Sequence, residues 1–187
     1  MARLKMPQAH ELTPQQAEVV AEVVSGKRGR VPGPMIGWLH NPEMARRAQR
    51  LGELLRYDTS LEPVLSELAI LICGRHWTSH YEWSAHKRIA LEVGIDPTTI
   101  ADIAARRSEP YLRNAREHVV FRVSSTLLAQ SKLDNELYAE GVGILGERGM
   151  VELVAILGYY SLVALTLNAF ELGLPEAHAA ELCADDS

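Results

Sequence analysis

From Leu153 to Phe170 the chain carries no charged side chain, and Glu152 and Glu171 close the run on either side. Such a stretch is about long enough to cross a bilayer, and as a helix it is apolar on nearly every face. It must therefore be surrounded either by protein or by lipid. Gly158, Tyr159, Tyr160, Ser161, Thr166 and Asn168 interrupt it with groups poorly suited to a hydrocarbon phase. The expectation is a helix buried in a protein core or between subunits, with no membrane span.

The rest of the chain reads as helices of ordinary length that could supply this cover. Thr13-Pro14-Gln15-Gln16 is a helix start, with Thr13 as cap, Pro14 in the first turn and Gln16 closing a capping box; this helix runs to Ser25 and stops at Gly26. Lys27 to Pro34, with three basic residues, two glycines and two prolines, is a connector. Met35 to Leu39 is apolar enough to pack down. Asn41-Pro42-Glu43 opens a second helix to Tyr57, with Met44, Ala48, Leu51, Leu54 and Leu55 as its buried stripe. Further helices are expected over about 61–76, 79–93, 97–106, 112–130, 134–147 and 151–172, with Gly94 as a C-cap and Gly149 separating the last two. No segment alternates with period two between turn signals, so no strand is expected. The fold class is all-α, with about eight helices.

At 187 residues the chain suits a single domain, 1–187, made of a helical arm (1–57), a core region (60–174) and a frayed tail (175–187). A net charge of −5 argues against nucleic-acid binding, which needs a basic surface to neutralise phosphates. The two cysteines, Cys73 in an apolar helical run and Cys183 near the end, do not form a disulfide framework. The N-terminus lacks the apolar core of a signal peptide. A cytoplasmic protein is expected.

Chemistry-bearing residues concentrate in Ser79-His80-Tyr81-Glu82-Trp83-Ser84-Ala85-His86. At spacings of three and four, Ser79, Glu82 and His86 share one helical face. A hydroxyl, a carboxylate and an imidazole on one stripe form a proton-handling set whose pKa values bracket neutrality. The competing reading is structural: Ser79-x-x-Glu82 is also a capping box, and Glu82–His86 an ordinary i,i+4 pair. Glu67 is conspicuous in a segment with almost no polar face. A buried carboxylate needs a partner, and Arg75 or His86 are the candidates. His76 and His80 do not share a dependable face with Glu82 and His86, so no metal is expected.

The run Glu67-Leu68-Ala69-Ile70-Leu71, then Arg75, then Tyr81-Glu82-Trp83-Ser84-Ala85-His86, resembles the carboxymuconolactone decarboxylase family of the alkylhydroperoxidase-D-like superfamily. The resemblance covers roughly 31–174 and is strongest over 63–94. Peroxidase members of the superfamily carry Cys-x-x-Cys-x-x-x-His where this chain has Ser79, Glu82 and His86, so the thiol chemistry is not expected here. The resemblance implies a helical bundle that assembles as a homotrimer or homohexamer. It also implies a lyase of the decarboxylase type, needing no cofactor, that acts on a small carboxylated or lactone substrate of aromatic-compound catabolism. His86 is then the general acid/base, Glu82 its partner or a second proton carrier, Glu67 a buried relay and Tyr81 a donor to a developing oxyanion. Arg75, Trp83, Ser79 and His80 are the expected substrate-binding residues. Two other functions compete: an alkylhydroperoxidase-like peroxidase, and a non-catalytic helical oligomer that binds a small acid.

Overall fold

A computed structural model describes residues 2–174 and 180–183. Among these the chain is all-helical: α1 (Pro14–Ser25), α2 (Met35–Trp38), α3 (Pro42–Tyr57), α4 (Pro63–His76), α5 (His80–Glu92), α6 (Pro97–Ala104), α7 (Ala115–Gln130) and α8 (Asn135–Ala169). They fall into two compact units, one formed by 1–58 with 165–173, the other by 59–164 with 174–187. Most of the expected frayed tail, 175–179 and 184–187, lies outside the described residues.

In the first unit the expected capping box forms as written, with Gln16 N donating to Thr13 Oγ1 at 3.3 Å and Thr13 N to Gln16 Oε1 at 2.9 Å. Asn41 caps α3 through Met44 N at 3.2 Å. The buried face of α3 differs from the expected stripe. Ala45, Ala48, Gln49, Gly52 and Leu55 are buried, whereas Met44, Leu51 and Leu54 are exposed. Small side chains let α1 approach closely, and ion pairs hold that flank: Arg46 to Glu18 (3.2 Å) and Glu22 (3.3 Å), and Arg50 to Glu22 (2.6 Å). Met35, Trp38 and Leu39 pack down as anticipated. Trp38 Nε1 donates to Thr166 Oγ1 at 3.0 Å, and Gly37 lies so close to Thr166 and Phe170 that a Cβ there would sit 3.1 Å and 3.2 Å from their side chains.

The second unit is organised around α4. Every residue from Leu65 to Arg75 is buried, because α5, α6 and α7 all pack on it. Val119, Val120 and Val123 give α7 its inner face. Gly94 ends α5 at φ 93°, a left-handed conformation that suits glycine, and Ile95 N returns to Ala90 O at 2.9 Å. The break in the last helical region falls at Gly146 (φ 74°, ψ 165°) rather than at Gly149. Gly149 instead lies within helix, where a Cβ would meet Leu145 and Leu61 at 3.1 Å and 3.3 Å. Beyond the break α8 is not buried all round. Leu153, Ile156, Leu157, Tyr159, Tyr160 and Val163 face inward, while Val151, Val154, Gly158 and Leu162 form an exposed stripe. The apolar run that reads as uniformly buried is thus a core helix with a second, uncovered apolar face.

Candidate active site

α4 and α5 are joined by Trp77-Thr78-Ser79. Thr78 takes φ 46°, and the turn closes with Ser79 N donating to Gly74 O at 2.9 Å. This sharp reversal lays α5 back along α4 and brings Glu67 level with His86. His86 Nδ1 and Glu67 Oε2 are 2.7 Å apart, and both side chains are almost wholly buried. Of the two partners expected for Glu67, the histidine is thus in place. Nδ1 is thus engaged by the carboxylate, which leaves Nε2 as the ring nitrogen not held by Glu67. The imidazole is held edge-on to the Tyr160 ring, with centroids 5.0 Å apart and planes at 88°.

Glu82 sits one turn before His86 on the same face and is 2% exposed. Its side chain packs against α4 at Gly74, where a Cβ would stand in ordinary van der Waals contact with Glu82 Oε1, 3.4 Å away. Neither carboxyl oxygen meets a hydrogen-bond donor among the described residues. Burial, and secondarily the charge of Glu67, push its pKa well above the ordinary carboxylate range. The two glutamates are thus held differently: Glu67 is bonded to the histidine, while Glu82 is buried without a donor among the described residues, an environment that favours its neutral form.

The capping-box reading of Ser79 and Glu82 does not hold. Ser79 precedes α5 as its N-cap residue but makes no side-chain cap bond, and its buried Oγ has no partner among the described residues. Nor is Glu82 bonded to His86, whose Nδ1 is engaged by Glu67.

The remaining expected site residues are distributed around this cluster. Trp83 is core, 2% exposed, with its indole N–H meeting no acceptor among the described residues. Tyr81 and His80 are half-buried on other flanks of α5. Arg75 is buried on another face of α4, where Nε donates to Ala104 O (2.8 Å) and Nη1 to Thr78 Oγ1 (3.1 Å). Cys73 lies 3.5 Å from Ser161 Oγ, and burial pushes its thiol up to about 12. Gly74 and Tyr160 were not anticipated. The Tyr159-Tyr160 pair in an otherwise aliphatic run is the signal that could have pointed to the latter.

The fold is that of the alkylhydroperoxidase AhpD core. A peroxidase-related protein from Ralstonia eutropha JMP134, described as an AhpD core, superposes with a TM-score of 0.76 at 15% identity, covering 94% of this chain and 93% of that one. A peroxidase-related protein from Silicibacter sp. TM1040 gives 0.75 at 17% identity, with 94% and 92% covered. The debrominase Bmp8 gives 0.72 at 16% identity, with 93% and 92% covered. A Cys-to-Ala variant of that debrominase, in complex with 2,3,4-tribromopyrrole, matches equally well. No protein-family profile and no curated protein matches the chain.

Proposed function

We propose that the protein is an acid/base enzyme of the carboxymuconolactone decarboxylase type, acting on a small unsaturated lactone or aromatic-derived acid without a cofactor. The observation that carries this reading is the buried 2.7 Å Glu67–His86 pair beside a second glutamate that has no partner among the described residues. When the substrate carboxylate leaves as CO2, the bonding pair stays on carbon and delocalises into the unsaturated lactone, so the substrate is its own electron sink. A proton must then reach that carbon. Protonated Glu82 is the donor in this reading. His86, oriented by Glu67, exchanges protons through Nε2 and restores Glu82. Tyr81 and Ser79 supply hydroxyls toward the developing oxyanion, and Trp83 and His80 bound the substrate; Arg75, held by Ala104 O and Thr78 on another face of α4, takes no direct part in this reading.

The superfamily's peroxide chemistry finds no support in the cysteines. Attack on a peroxide requires a thiolate, and the Cys73 environment opposes ionisation. The same proposal includes self-association as a trimer or hexamer, supported by the exposed Val151, Val154 and Gly158 stripe on α8.

The test is CO2 release from a panel of unsaturated lactone acids in deuterated water, with the wild type, Glu82→Gln and His86→Gln. Turnover should place deuterium on the carbon that lost the carboxylate. Each variant should lower the rate about 10²-fold or more while remaining folded by circular dichroism. Variants that turn over at the wild-type rate would sink the assignment.

A further inference from the structure

Between Leu153 and Ala164 the buried residues of α8 are aliphatic except for Tyr159 and Tyr160, and Ser161 follows them directly. The chemistry proposed for Glu67, Glu82 and His86 uses none of these three. An aliphatic core needs neither a flat ring nor a hydroxyl, and a ring imposes a geometry on its neighbours that a leucine does not. Tyr160 and Ser161 both reach the residues around the site, at two different places.

Tyr160, 3% exposed, stands at right angles to the His86 ring and is itself backed at right angles by Tyr159, with centroids 5.4 Å apart and planes at 84°. The 2.7 Å contact with Glu67 fixes one atom of the imidazole but leaves the ring able to tilt about that contact. A perpendicular ring packed against it removes the tilt, and so decides where Nε2 points. Ser161 takes hold of the end of α4. Trp77 Nε1 is 2.9 Å from Ser161 Oγ, and because an indole nitrogen only donates, the hydroxyl accepts here. Its own hydrogen is left for Cys73 Sγ, 3.5 Å away, whose S–H reaches Leu157 O at 3.7 Å. Trp77, Ser161, Cys73 and Leu157 thus form one directed run of hydrogen bonds between α4 and α8. Trp77 opens the turn that carries Ser79, and Ser79 leads into α5 with Glu82 three residues on.

We infer that Tyr160 and Ser161 are positioning residues: Tyr160 fixes the plane of the His86 ring, and Ser161 fixes the turn that presents Ser79 and Glu82. The inference rests on the acid/base reading of Glu82 and His86. Both residues act through another side chain, Tyr160 through the imidazole and Ser161 through the indole. If they only filled the core, a leucine would serve at 160 and an alanine at 161. As positioning residues they need a ring and an oxygen, respectively. This accounts for a tyrosine pair and a serine in the middle of the most apolar run of the chain.

The test follows the His86 ring signals, the Trp77 indole N–H and the Ser79 backbone amide by NMR, without substrate, in the wild type and in paired variants. Tyr160→Phe keeps the ring and should keep the His86 signals, whereas Tyr160→Leu should shift them and leave the indole in place. Tyr159→Leu, which removes only the backing ring, should move the same His86 signals by less. Ser161→Ala should shift the indole N–H and the Ser79 amide, speed exchange of the indole proton about tenfold and leave the His86 ring unmoved; Ser161→Thr should restore the wild-type pattern. On a substrate found by CO2 release, Tyr160→Leu and Ser161→Ala should each lower kcat about tenfold or more with KM within about twofold, and the Phe and Thr variants should retain kcat. A His86 ring indifferent to Tyr160→Leu, an effect of Tyr160→Phe as large as that of Tyr160→Leu, or an indole indifferent to Ser161→Ala would each overturn the inference. The crossed NMR pattern in a protein that releases no CO2 would support the positioning roles and sink the decarboxylase reading alone.

Discussion

Glu82→Gln tests the electrostatics of the site without any substrate. Glu82 is 2% exposed, makes no hydrogen bond among the described residues and is pushed upward first by burial and then by Glu67. The folded protein thus holds a proton on Glu82 that the unfolded chain releases once the pH exceeds the ordinary carboxylate value of 4.5. The stability that depends on this group is fully present below that pH and is lost as the pH rises toward the higher native value. One proton retained in the native state gives a slope of about 1.4 kcal/mol lost per pH unit across that window. Glutamine has the same shape and no titratable proton, so the variant should lack this slope. Urea unfolding of both proteins, from about pH 5 to about pH 8, measures the difference directly, and other titrating groups cancel in the comparison. The two curves should diverge with rising pH, the variant becoming relatively more stable. Parallel curves would show that Glu82 is ionised in the native state and would remove the proton donor from the proposed mechanism.

Glu67→Ala should cost about 1–3 kcal/mol, because His86 Nδ1 is left buried without its acceptor, and nitrogen NMR should show the single Nδ1–H tautomer replaced by a mixture. In the folded protein a thiol reagent should modify exposed Cys183 rapidly and Cys73 only on unfolding; hydroperoxide consumption should stay at background and be unaffected by Cys73→Ser. Light scattering should give a mass well above that of one chain, and Val154→Asp should lower it; a monodisperse wild-type monomer would refute the assembly.

The helices were largely legible because their ends are written in local chemistry: Thr13 with Gln16, Asn41 before Pro42, Asp96 before Pro97. The cluster of Glu67, Glu82 and His86 was legible for a different reason. Polar residues recur at helical spacing around Glu82 and His86, and Glu67 stands out in an apolar stretch that has to pair it with something. What failed was rotation and context. The inward face of α3 is set by its small residues and by ion pairs with α1, not by its largest apolar side chains. The capping reading of Ser79 failed because the α4–α5 turn buries the hydroxyl and closes through the backbone. Nothing in the residue types marks Thr78 and Arg106 as left-handed, since the sequence there favours other conformations.

The route of α8 through both compact units has a consequence for how the molecule is made. The first unit needs Thr166 to accept from Trp38, Phe170 against Gly37, and Ala169 O for Arg3. Residues 1–58 leave the ribosome first, but the segment that completes their packing, 165–173, is synthesised more than a hundred residues later. The amino-terminal helices must therefore wait, incompletely packed, until the α4–α7 helices have emerged. A nascent chain stalled before Leu165 should expose α1 and α3 to protease, and one stalled beyond Gly173 should protect them.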